Sequence, residues 1–153
     1  MRMLDNEAIA RFPANGFIAL EETLRTRRSE AVALAQGYAK GTIFALANAE
    51  AAVRLLYKIF PQSKPTGKDE ATAIRDDLKV LQARAPKWTL EAGGVKKWGY
   101  NSEANYSAYV DFLLKWGVLK EKVSASDLIT NELIDEINRF DPQEIAHQAQ
   151  AYK

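Results

Sequence analysis

The chain has 153 residues, 47% of them apolar and 27% charged, the balance of an ordinary globular domain rather than a disordered or fibrous one. Its 21 basic and 20 acidic residues leave a net charge of +1, which excludes a global pull toward nucleic acid or an anionic membrane. Without cysteine there is no disulfide, thiolate nucleophile or Cys-based metal site, and no run of about 18 apolar residues supplies a membrane span.

Residues Met1 to Asp5 lack the basic-then-apolar pattern of a secretory signal. One stretch then reads as strand. Asn15-Gly16-Phe17-Ile18-Ala19-Leu20 is short and apolar, follows Pro13 and opens on a turn-forming Asn-Gly pair. After it the period is helical. Val32, Ala35, Ala39, Ile43 and Leu46 recur at spacings of three and four and predict a first long helix from Arg28 to Ala47. A second stripe on that helix, Ala33, Gly37, Gly41 and Ala45, is small at every fourth residue; it reads either as a close packing surface or as two glycines tolerated on an exposed face.

Asn48 has the chemistry of an N-cap for a second helix, whose apolar face is Ala52, Val53, Leu56 and Phe60 and which ends at Pro61. Residues 62–67 are loop by composition, and Thr66 followed by Asp69 resembles a capping box. Ala71, Ile74, Leu78, Leu81 and Ala85 predict a third helix that stops before Pro86. Residues 87–100, with Gly93-Gly94, Trp88 and Trp98, are the least regular part. Ser102 or Asn101 caps a fourth helix with Tyr106, Tyr109, Val110, Leu113 and Trp116 on one face, and Gly117 stands where a left-handed residue closes a helix. Residues 124–127 offer another capping box, Leu133, Ile137 and Phe140 continue the apolar pattern, and Asp141-Pro142 starts a terminal helix. The reading is a single, mainly α domain over residues 1–153: five to six helices in a helical region at 28–153, and one short strand in a strand-like segment at 12–20.

Side chains for catalysis are sparse. The sole histidine, His147, lies beside Gln148 and Gln150 in the polar terminal helix and reads as a surface residue, and no Gly-x-Ser-x-Gly elbow surrounds a serine. Asp76-Asp77 and Asp135-Glu136 are adjacent acids, which on a helix point to different sides and so read as solvated faces rather than acid–base pairs or metal sites. Gly93-Gly94 is followed by no Lys-Ser/Thr and is no phosphate loop. Arg25, Arg27 and Arg28 form a basic cluster that Glu21, Glu22 and Glu30 compensate locally. Tyr106, Tyr109 and Trp116 read as core, whereas Trp98 and Tyr100 are free to line a ligand. No catalytic residue, metal or cofactor is expected, and no nucleic-acid partner.

Word order carries the reading further. The segment Asn15-Gly16-Phe17-Ile18-Ala19 followed by Glu21-Glu22-Thr23, then Tyr38-Ala39-Lys40-Gly41, then the run from Ala45 through Asn48 to Val53, and finally Phe112 to Leu119 and Asp127 to Leu133, stand in a characteristic order. Together they resemble the C-terminal part of substrate-binding proteins of ABC importers, in the group that takes nitrate, sulfonates and thiamine precursors. The resemblance covers about Ala14 to Phe140, and Ala49 stands where that family usually has proline. It implies part of a two-lobed α/β periplasmic binding protein of type II, with the first lobe and the export signal missing from this chain. It also implies capture without chemistry of a small anionic or heterocyclic solute for a membrane permease, at the cell envelope. Asn15, Gly16 and Phe17, and next Trp98 and Tyr100, are the expected ligand-binding residues. Enzymes of the family need a cysteine cluster, which this chain lacks. The alternative is a stand-alone helical interaction or oligomerisation module. A lone strand cannot satisfy its own backbone, so the chain is expected to self-associate or to remodel that segment.

Overall fold

Helix ends in this chain are fixed by local chemistry. The computed structural model describes residues 12–13 and 15–152, which form α1 (Glu21–Thr26), α2 (Arg28–Ala47), α3 (Ala49–Ile59), α4 (Glu70–Arg84), α5 (Glu103–Lys115), α6 (Ile134–Ile137) and α7 (Pro142–Ala151). Single 3₁₀ turns lie at Pro61–Ser63, Ala85–Lys87 and Ala125–Asp127. Asn48 caps α3, its Oδ1 accepting from Ala51 N–H at 3.0 Å. Ser102 caps α5 and Asp141 caps α7 ahead of Pro142 at the first turn. α5 closes with Gly117 at φ 70°, its N–H on the Leu114 carbonyl at 3.0 Å and the Val118 N–H on Leu113 at 2.9 Å. That is the paired bonding of a Schellman end, which demands a left-handed residue. Among the described residues no helix is long and apolar enough to cross a membrane.

α2 is the spine. It packs against α7, α3 and α6, and α3 packs in turn on α4. Ala39 and Ile43 of α2 are buried, as are Ile134 and Ile137 of α6 and Ala149 of α7. Between α3 and α4, Val53, Tyr57, Ala73 and Ile74 form the contiguous core, with Leu78 against it. Three polar bridges lock the spine to elements a hundred residues away. Arg28 Nε donates to Glu136 Oε1 at 3.0 Å, and its Nη2 donates to the Glu132 carbonyl at 3.0 Å. Gln36 Nε2 donates to the carbonyls of Glu136 and Ile137, both at 3.3 Å. Asn48 Nδ2 donates to the Ala149 carbonyl at 2.8 Å, so one side chain starts α3 and ties down the end of α7.

Several expectations are corrected. No strand occurs among the described residues: residues 16–20 are without regular structure, and they make no backbone hydrogen bond to another described residue except that the Leu20 carbonyl accepts from Leu24. A strand needs a neighbour to share its N–H and C=O groups, and none lies among the described residues. Asp69, not Thr66, is the N-cap of α4, its Oδ1 accepting from Thr72 N–H at 2.9 Å. Packing on α4 turns α3 so that Ala51 and Tyr57 face inward with Val53, leaving Leu56 and Phe60 exposed. Trp116 is not core; it is 67% exposed beyond the last turn of α5. Of the two readings of the Ala33–Ala45 stripe, the exposed one holds, since a Cβ at Gly37 or Gly41 would meet nothing within 4 Å.

The helices enclose little. Ile18 is fully exposed, and Leu20, Leu34, Tyr38, Ile59 and Val80 are each mostly so.

Candidate functional site

The loop that carries Trp98 and Tyr100 has no backbone ladder of its own, and two asparagines supply one. Asn138 Oδ1 accepts from Trp98 N–H at 2.9 Å while its Nδ2 donates to the Trp98 carbonyl at 3.0 Å and to that of Ile134 at 2.8 Å. Asn131 repeats the device three residues along the loop: Oδ1 accepts from Asn101 N–H at 2.8 Å and Nδ2 donates to the Asn101 carbonyl at 3.0 Å. A side-chain amide carries both a donor and an acceptor, so it pairs with a backbone residue as a neighbouring strand does. Between the two grips sits Gly99 at φ 80°, where a Cβ would lie 3.5 Å from the Ile134 side chain. The positive φ calls for glycine, although the space would admit a Cβ in ordinary contact.

Held this way, the loop and α6 leave an open groove of about 400 Å³ lined by Lys96, Lys97, Tyr100, Asn131, Ile134 and Asp135. Its volume falls within the range of small-molecule sites. Lys97 is committed to Asp135, and that hydrogen bond, reinforced by the charge, holds the Asp135 carboxyl below the usual carboxylate range. Lys96 enters no ion pair among the described residues. Tyr100, 49% exposed, lines the groove, Asn131 keeps one side-chain N–H unspent among the described residues, and Ile134 adds apolar surface. A cation, a phenol, an amide N–H and an apolar surface together suit one side of a small anionic or aromatic solute. The other side is open.

The five expected binding residues do not all meet. Trp98 is half-buried, and its backbone anchors the loop. Asn15, Gly16 and Phe17 are exposed, and Phe17 rests edge-on against Tyr38 of α2 with ring centroids 5.5 Å apart. Tyr38 lies two residues, ~200°, around the helix from Gln36, which faces α6. The two groups therefore stand on different flanks of α2. Lys96, Asn131, Ile134, Asp135 and Asn138 were not singled out from the sequence for this role. A pairing of an asparagine with a backbone residue 30 or 40 positions away leaves no local pattern.

Elsewhere the adjacent acids diverge as helical geometry requires. Asp76 pairs with Lys68 and Lys79, while Asp77 accepts from the Tyr57 hydroxyl at 2.6 Å; Asp135 faces Lys97 and Glu136 faces Arg28. Arg27 is neutralised locally by Glu30, but Arg28 is neutralised from α6 rather than by its sequence neighbours. His147 is exposed on α7. A second groove of about 460 Å³ runs between α3 and α4, where Arg54 is already engaged by Glu50. Among the described residues no three His, Asp or Glu side chains gather as a metal site would need. Met1–Asp5 and Ala14 lie outside the described residues. No family model matches the chain, and neither a curated protein nor a solved structure matches it.

Proposed function

We propose that the chain is part of the solute-binding component of an ABC importer, which captures a small anionic or heterocyclic solute at the cell envelope and presents it to a membrane permease without chemistry. The observation that carries this reading is the one-sided groove at the 96–101 loop, in which Lys96, Tyr100 and the spare Asn131 N–H converge over Ile134. A cleft formed between two bodies leaves such a half-site on each of them, and ligands are then enclosed when the bodies close. On this reading the groove by itself holds only part of the ligand contacts.

Amide chemical-shift titration with benzenesulfonate, benzoate and a pyrimidine tests the reading. At least one should shift the amides of Lys96, Tyr100 and Asn131 with a Kd of about 1 mM or weaker, worth about 4 kcal/mol at most. Micromolar binding, or no response at those amides to any of the three, contradicts it.

One observation favours a second reading, a helical interaction module: exposed apolar side chains on several helices, including Leu34, Ile59 and Val80. The DNA upstream separates the two, since an in-frame continuation encoding an export signal and a first lobe supports the receptor.

A further inference from the structure

We infer that the groove between α3 and α4 is a site for a small soluble phosphomonoester with a compact apolar or aromatic body, its dianionic head bridging Arg75 and Lys79. The inference does not rest on the reading of the 96–101 loop. The groove holds about 460 Å³, within the range of small-molecule sites. Its floor is Ala71, Ile74 and Leu78, which recur at spacings of three and four along one face of α4. Ile74 is 5% exposed and Leu78 is half-buried, so the floor offers a short apolar contact, too small for a protein partner and suited to a compact body.

The charges along this groove do not cancel. Arg54 is spent on Glu50, whose Oε1 accepts from its Nε at 3.0 Å and from its Nη2 at 2.6 Å. Arg75 enters no ion pair among the described residues, and its side chain there makes one long hydrogen bond, Nη2 donating to Thr72 Oγ1 at 3.4 Å. Lys79 Nζ stands 3.6 Å from Asp76 Oδ1, but Lys68 holds that carboxylate more closely, at 2.7 Å. Glu70 turns to Lys64 at 3.0 Å and Asp77 to the Tyr57 hydroxyl at 2.6 Å, so neither serves Arg75 or Lys79.

Arg75 and Lys79 are therefore like charges four residues apart on α4, an arrangement that costs helix stability. Such residues are neighbours, ~5–6 Å between Cβ atoms, so both side chains reach one phosphate. An anion that spans them turns the repulsion into charge-assisted hydrogen bonds, and the guanidinium fork matches phosphate oxygens. Two underpaired cations call for a dianion, whereas the 96–101 groove, with Lys97 held by Asp135, leaves Lys96 alone. An apolar body resting on Ile74 and Leu78 adds burial that inorganic phosphate lacks.

Amide chemical-shift titration of the full chain with phenyl phosphate at about pH 8, where its head is dianionic, tests the inference. Phenyl phosphate should shift the amides of Ile74, Arg75, Leu78 and Lys79 with a Kd of about 1 mM, and inorganic phosphate and benzenesulfonate should each bind there about fivefold weaker or more. Arg75→Gln should weaken phenyl phosphate about tenfold, with helix content by circular dichroism unchanged. Lys115→Gln, the same loss of charge at an exposed position on α5, should leave the binding unchanged. No shift at those amides, equal binding of phenyl phosphate and either comparison anion, or equal weakening by the two substitutions would each overturn the inference. So would concentration-dependent shifts of the same amides without added ligand, which would mean that a second copy occupies the groove.

Discussion

Asn138 engages both backbone polar groups of a single distant residue, Trp98, with its Oδ1 on the N–H at 2.9 Å and its Nδ2 on the carbonyl at 3.0 Å. The loop that forms one wall of the groove is thus positioned by a side chain from just beyond α6 rather than by secondary structure. Replacing it by alanine strands the N–H and carbonyl of half-buried Trp98, while the Ile134 carbonyl keeps its bond from the backbone N–H of residue 138 at 3.1 Å. The expected cost for Asn138→Ala is about 2 kcal/mol, a Tm drop of ~5 °C, accompanied by a red shift of tryptophan emission as Trp98 gains water. A variant with the parent's Tm and emission spectrum would show that the loop is held by something else.

Asn48 serves two helices at once, and its two functions can be separated. Asn48→Ala loses the cap of α3 and the bond to α7, at about 1–2 kcal/mol. Asn48→Asp keeps an acceptor for Ala51 N–H but has no donor for the Ala149 carbonyl. Hydrogen exchange should then show faster amides in the last turn of α7 with the first turn of α3 still protected. Equal loss of protection in both places would contradict this division.

Tyr57 sets the alkaline limit. Its ring is 8% exposed in the α3–α4 core, and burial, with help from the hydrogen bond to Asp77 and that charge, pushes the phenol up to about 12. A phenol whose pKa is raised on folding stabilises the fold fully below its unfolded pKa of about 10, and that contribution disappears as pH rises toward 12. In an absorbance titration of the six tyrosines one should therefore ionise late, together with loss of helix, and Tyr57→Phe should remove that late phase. Persistence of the late phase in Tyr57→Phe would reassign it.

At Gly117 the chain needs a left-handed residue at φ 70°. Gly117→Ala should cost about 1 kcal/mol, and Gly117→Asn less, because asparagine tolerates that region. Chemical denaturation gives both values. An alanine variant as stable as the parent would mean that α5 ends differently in solution.

Whatever depends on sequence neighbours was legible beforehand. The bounds of α2, the caps at Asn48, Ser102 and Asp141, and the Gly117 ending follow from residues within one turn, where side chain and backbone meet without help from the fold. Asp69 was misjudged because Thr66 offered a rival cap three residues earlier, and only the start of α4 decides between them. Trp116 was misjudged because a helical stripe shows which residues align, not whether anything lies opposite them. In the groove, Tyr100 stood out as an aromatic outside any helix, but its neighbours arrive through contacts 30 to 40 residues apart that no periodicity encodes. The apolar run at 15–20 has the composition of a strand and is not one: a strand is a property of two segments, and no second one lies among the described residues.

The half-site at the 96–101 loop is the most direct point of attack. In amide titrations of the full chain, benzenesulfonate, benzoate or a pyrimidine should move the amides of Lys96, Tyr100 and Asn131 with a Kd of about 1 mM or weaker. Micromolar binding to the chain alone, or silence at those amides toward every one of these solutes, would contradict the account.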